Sequence, residues 1–272
     1  MRSLLLAVLA AYVVSAIHAV LAFLNKRRSL QRVSEWAMAA GFALHTAALV
    51  ADWVLYGHYP LFYLRETLSF LAWTLVASYA LVLYRYGARP LGVVTLPLVS
   101  LLIFVAVITH SATPDRAEAT SLAASWLFPV HTTLLLFAYG AFFVVFLASV
   151  MYLMQERELK LKTFSAIFHR LPSLTTVNEI ATSSAAIGLT LLTVGIATGM
   201  VWSSSRNGRL WHNDPKEIFA ALTWLLYVVL ILHRSTAGWR GRRAAWLGVA
   251  GFALVLLTFF ATRLMGGYHV FG

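Results

Sequence analysis

Nine histidines stand in a chain with only 21 basic and 10 acidic side chains, and they are the residues to weigh first. Imidazole is the commonest protein metal ligand at neutral pH. His131 lies in the first turn of an apolar run, just after Trp126 and Pro129, and His269 follows Gly266-Gly267-Tyr268 beyond the last apolar run. His233 ends another run, one residue before Arg234. His45 comes ten residues after Glu35, about 15 Å along a helix, and His18 lies about 12 Å before Lys26. His58, His110 and His169 fall in loops or at loop edges and read as solvated. For each of the others the structural alternative is an imidazole bonded to a neighbouring helix. As a set they could form two axial pairs at two depths, and imidazole in an apolar shell suits haem iron.

The segment from Gly199 to Trp224 sharpens that chemistry. Trp202, Trp211 and Trp224 offer flat apolar faces able to stack on a porphyrin. Arg206, Arg209 and Lys216 could pair with its propionates through charge-assisted hydrogen bonds. Part of the segment has a plainer role. Asp214-Pro215-Lys216-Glu217 is a helix start, with Asp as N-cap, Pro at the first position and Glu at the third. Tryptophan is also an ordinary membrane-interface anchor. Capping and anchoring leave the coincidence of basic and aromatic residues unexplained.

These residues must be held by elements that composition already restricts. The 272 residues are 60% hydrophobic and 11% charged, against about 25% charged for soluble domains. The chain reads as an integral membrane protein. Without cysteine it has no disulfide, thiolate metal site or Cys-x-x-Cys-His haem attachment. Eight apolar stretches are long enough to cross a bilayer as helices: 3–24, 34–55, 67–84, 91–109, 127–154, 179–202, 216–233 and 244–264. The first could be taken for a signal peptide, but its length and the Lys26-Arg27-Arg28 that follows make it the first crossing. The prediction is an all-α bundle of eight transmembrane helices in one polytopic domain, 1–272.

With the N-terminus outside, the inner connections hold 14 basic and four acidic residues, and the outer ones seven and six. That basic excess places both termini on the outer side. It also makes the +11 charge a mark of membrane orientation rather than of nucleic-acid binding. The stretch 155–178 is expected to prolong helix five inward, and 110–126 to form a short surface helix starting at Thr113-Pro114-Asp115.

Gly199-x-x-Trp202, Gly208-x-x-Trp211, Asp214-Pro215-Lys216-Glu217 and Thr223-Trp224 resemble the tryptophan-rich WWD segment of the CcsA/CcmC haem-handling family, and the Asp-Pro-Lys-Glu form is similar to its CcsA side. Gly57-His58-Tyr59-Pro60-Leu61 with Glu66-Thr67-Leu68-Ser69-Phe70 resembles the CcsA segment ahead of helix three. The chain departs from the pattern at Asn207, Asn213 and Phe219, where the family usually has Trp, and it has no CcsB portion. Its size is closer to short HemX-like and YpjD-like bacterial members. The resemblance implies a protein of the bacterial cytoplasmic membrane that binds haem b without covalent attachment. It implies His131 and His269 as outer axial ligands, with Trp202, Arg206, Arg209, Trp211, Asp214 and Trp224 around the macrocycle. His233 matches the family's intramembrane histidine; His45 is its candidate partner, and on depth His18 competes.

The function expected is uptake of haem from the inner side and presentation outside for cytochrome c assembly, with other assembly proteins or an apocytochrome as partners. No nucleophile triad, phosphate loop or paired carboxylates appear, so the chain is not expected to be an enzyme alone. The alternatives are a HemX-like regulator or scaffold of haem synthesis, a di-haem quinol oxidoreductase, and a secondary transporter. The oxidoreductase is weakened by the want of two well-placed histidines on one helix, the transporter by the want of symmetric broken helices.

Overall fold

A computed structural model of the chain describes residues 2–109, 125–236 and 241–265. Among them are eight helices long and apolar enough to cross a membrane. They are α1 Arg2–Asn25, α2 Arg28–Tyr56, α3 Leu64–Tyr86, α4 Gly92–Ile108, α5 Leu127–Leu161, α6 Leu174–Asn207, α7 Pro215–Thr236 and α8 Arg242–Met265. Each expected crossing is present. All but α4 run past the apolar stretches, because helix geometry continues through polar ends. The expected surface helix within 110–126 falls almost wholly outside the described residues.

The described residues divide into two compact units, one up to Pro129 and the other from Val130 on. In the first, α1 packs on α2 and α4, and α3 packs on α4. Only Lys26 and Arg27 separate α1 from α2, with Lys26 in the left-handed region at φ 54°. Ser15 and Ser34 then bond reciprocally, each hydroxyl donating to the other's carbonyl at 2.9 Å. Small polar residues of this kind let helix backbones approach in lipid. Two turns further along α2, Gly41 leaves room for the ring of Tyr12, which a Cβ would meet at 2.9 Å. Trp73 of α3 donates to the Thr46 hydroxyl of α2 at 2.9 Å and stacks on Phe42.

In the second unit α5 supplies most of the core: Ala138, Phe142, Val145 and Ala148 are all fully buried. Three glycines of α6 each receive a side chain of α5: Gly188 takes Phe142, Gly195 takes Leu135 and Gly199 takes His131. Residue numbers rise along α6 by the same steps by which they fall along α5, so the helices are antiparallel neighbours in fixed register. Gly248 of α8 fits against Ser149 of α5, and Gly251 against Tyr227 of α7. Of the 155–178 stretch expected to prolong α5, only the part to Leu161 does so as a polar extension; a short 3-10 turn follows at Phe168–Arg170, and residues from Leu174 on belong to α6. In the extension Glu158 accepts from the Ser165 amide and hydroxyl, and Gln155 donates to the Pro172 carbonyl at 2.7 Å.

Candidate functional site

The α5/α6 register places His131 over a gap in α6. A Cβ on Gly199 would lie 2.4 Å from the imidazole Cε1 and 2.5 Å from Nδ1, so only glycine admits the ring in this position. Gly195, one turn earlier, supplies the second contact: its carbonyl accepts from His131 Nδ1 at 2.7 Å. A carbonyl can only accept, so the proton sits on Nδ1 and the neutral ring carries its lone pair on Nε2. Metal-ligating histidines are oriented in the same way, by donating the opposite N–H to a carbonyl or carboxylate. The Trp202 ring lies nearly parallel to the imidazole, 6.5 Å between centroids at 25°. The Arg206 guanidinium stands 5.8 Å from the centre of the Trp202 ring. Gly195, Gly199, Trp202 and Arg206 recur at intervals of four, three and four, which puts them along one face of α6.

The loop between α6 and α7 is built for rigidity. Gly208 ends α6 in the left-handed region at φ 69°, and its amide bonds the Ser204 carbonyl. The Asp214 carboxylate accepts from the Lys216 amide at 2.8 Å. Glu217 reaches back to the amides of His212 at 2.8 Å and Asp214 at 3.3 Å. The capping expected of Asp214 and Glu217 is therefore present, and it occupies the buried Asp214 carboxylate with the backbone. Asn213 stands at φ 58°, a conformation asparagine tolerates better than most residues. Its side-chain oxygen accepts from Trp211 Nε1 at 2.8 Å, which fixes that indole. At this position the chain thus has a turn residue that holds a neighbouring tryptophan.

The other expected residues lie elsewhere. Arg209 is exposed, and its carbonyl accepts from the Ser203 hydroxyl. Trp224 is nine residues into α7 and donates to the Thr193 hydroxyl of α6 at 2.8 Å. It belongs to the α6/α7 seam rather than to the loop. His269 lies outside the described residues, so its pairing with His131 does too. His233 is half-buried near the end of α7. His18 bonds the Val14 carbonyl of its own helix at 2.8 Å.

His45 belongs to the first unit and is wholly buried, at 0% exposure. Its Nδ1 is 3.2 Å from the Tyr12 hydroxyl and its Nε2 is 2.9 Å from the Ser69 hydroxyl. Both nitrogens are engaged, which is the structural role of a core histidine. Metal coordination there would first require one hydroxyl to swing away. His58 departs from its solvated reading. It is buried at 9% exposure among the rings of Tyr56, Phe62 and Tyr63, because the short segment before α3 folds its aromatic residues around it.

Sequence reasoning passed over two features. His212 lies 3.3 Å from the Ser203 hydroxyl and 3.5 Å from Glu217, tying the loop to both flanking helices. Gly195 and Gly199 do as much for His131 as any aromatic residue, and their four-residue spacing on an apolar helix was the available signal.

The eight helices long and apolar enough to cross a membrane among the described residues define a multi-pass membrane protein. The cytochrome c assembly protein family model matches residues 61–269, and the chain belongs to that family. It is 30% identical over 82% of its length, and 78% of the relative's, to the cytochrome c biogenesis protein CcsA of Prochlorococcus marinus strain MIT 9515. It is 28% identical to that of Synechococcus elongatus, covering 90% of this chain and 89% of the relative. Among solved structures, the cytochrome c haem lyase CcmF shares the fold, with a TM-score of 0.68 and 18% identity. The match covers 96% of this chain and 49% of CcmF.

Proposed function

We propose that the chain binds haem at its outer face and hands it on for cytochrome c assembly in a bacterial cytoplasmic membrane, with haem as cargo rather than resident cofactor. The observation that carries this reading is the His131 imidazole, seated on Gly199 and held by the Gly195 carbonyl so that Nε2 bears the lone pair. The gap above Gly199 is a cradle that any side chain there would fill, and the donor is of the type that ligates haem iron. His269 is the proposed second axial ligand. Trp202 and Trp211 would lie against the macrocycle, and Arg206 and Arg209 would meet its propionates. Asp214 holds the loop, and Trp224 the seam below it. The bound haem supplies the iron and the reactive vinyl groups. The protein's part is to ligate, orient and shield it, so a thioether-forming partner would complete any synthase.

His45 enters the same reading as an inner ligand only on condition that Ser69 releases its Nε2. Ser69→Ala should then raise haem occupancy, and unchanged occupancy would leave His45 with its structural role.

The test is to purify the full chain from haem-replete cells. A low-spin absorption spectrum is expected, with His131→Ala and His269→Ala depleting the same species. A colourless wild-type preparation would overturn the proposal and favour the regulator or scaffold. Rapid reversible reduction by quinol would favour the oxidoreductase instead.

A further inference from the structure

A separate cavity of about 180 Å³ opens within the first unit, where α1 begins and α4 ends. It is lined by Arg2, Leu5, Arg65, Ala106, Val107, Ile108 and Thr109. The notable feature is two guanidinium groups beside a wall that is apolar but for Thr109. Arg65, in the first turn of α3, is largely buried, its side chain 12% exposed. Its nearest carboxylate oxygens are Asp52 Oδ1 at 3.6 Å and Glu66 Oε1 at 4.0 Å. Both distances exceed hydrogen-bond length. Glu66 commits its other oxygen to the amides of Phe62 and Tyr63, where it caps α3. Arg2 is exposed, and among the described residues no carboxylate lies within 4.0 Å of it.

The two arginines thus face a cavity with more donor capacity than the neighbouring carboxylates use. Guanidinium forks match the oxygens of phosphate groups. The cavity is smaller than the roughly 300–1,000 Å³ of drug-sized ligand pockets, which suits a head group rather than a whole molecule. Outside it runs an exposed apolar strip, Leu6 of α1 with Leu101, Phe104 and Ile108 of α4. In a membrane protein that strip faces lipid, so a molecule with its head at the arginines can lay its tail along the helices.

We propose that Arg2 and Arg65 bind the phosphate head group of an anionic membrane lipid, with its acyl chain along α1 and α4. The site is distinct from the imidazole of α5 and would steady the end of the first unit.

Native mass spectrometry of the full chain in detergent, titrated with phosphatidylglycerol or phosphatidylcholine, tests this. Phosphatidylglycerol should be retained at least about tenfold better, the worth of a charge-assisted hydrogen bond. Arg65→Gln and Arg2→Gln should each remove most of that preference. Arg65→Gln could unsettle Asp52 and the fold with it; Arg2 is exposed, and its variant keeps the test independent. Equal retention of the two lipids, or an unchanged preference in Arg2→Gln, would overturn the site. Displacement of the lipid by millimolar inorganic phosphate would overturn the assignment to lipid.

Discussion

His45 of α2 sits between Tyr12 of α1 and Ser69 of α3, and His131 of α5 sits against the glycines of α6; their surroundings give them opposite chemistry. His45 has hydroxyls at both nitrogens, Tyr12 on one side and Ser69 on the other. Gly41 serves that network indirectly, by making room for Tyr12. His131 has one nitrogen fixed by a carbonyl, and its glycine makes room for the imidazole itself. A buried polar group in lipid is costly unless satisfied. His45 is satisfied by saturation. His131 is held so that one nitrogen is oriented and the other defined as an acceptor. The comparison teaches that residue type does not separate the two histidines; the group that fixes each ring does, a pair of hydroxyls for His45 and a backbone carbonyl on Nδ1 for His131.

That contrast can be broken most forcefully at Gly199. Gly199→Leu would drive a side chain into the His131 ring, and bound haem should fall more than about tenfold, the order of a lost ligand interaction of 1.4 kcal/mol or more. Haem content per mole of purified protein reads this directly, and retention of wild-type haem would remove Gly199 from the account. At the other histidine, Ser69→Ala leaves Nε2 buried without its hydroxyl and should cost about 1–3 kcal/mol of stability, measured as thermal unfolding of haem-free protein in detergent. The same substitution at Ser69 should not lower haem binding at the outer site.

Smaller effects are expected in the loop. Asn213→Val puts a β-branched residue at φ 58° and removes the acceptor for Trp211, at a cost of about 1–2 kcal/mol. Limited proteolysis between α6 and α7 should become faster. Asp214→Ala removes the cap of α7 at a cost of about 1 kcal/mol, visible as faster amide exchange at Lys216, whose amide it holds.

The eight crossings were legible because lipid requires an unbroken apolar stretch for each helix, and no other element meets that need. Their ends were less so: Leu161 and Leu174 lie well beyond the hydrophobic runs, where capping and tertiary bonds such as Gln155 to Pro172 decide. Asp214-Pro215-Lys216-Glu217 was readable because capping is local chemistry. The seat of His131 was not, since it depends on the register between α5 and α6, 64 residues apart along the chain. His58 misled because a loop position was equated with solvent, while its aromatic neighbours close around it. Trp224 was grouped with the loop by proximity in sequence, although helix rise carries it down to Thr193.

The most direct measurement is the visible spectrum of His131→Gly, purified with and without added imidazole. If His131 ligates the iron, the variant loses the low-spin spectrum and free imidazole, entering the space above Gly199, restores it. A wild-type spectrum in His131→Gly without imidazole would contradict that role.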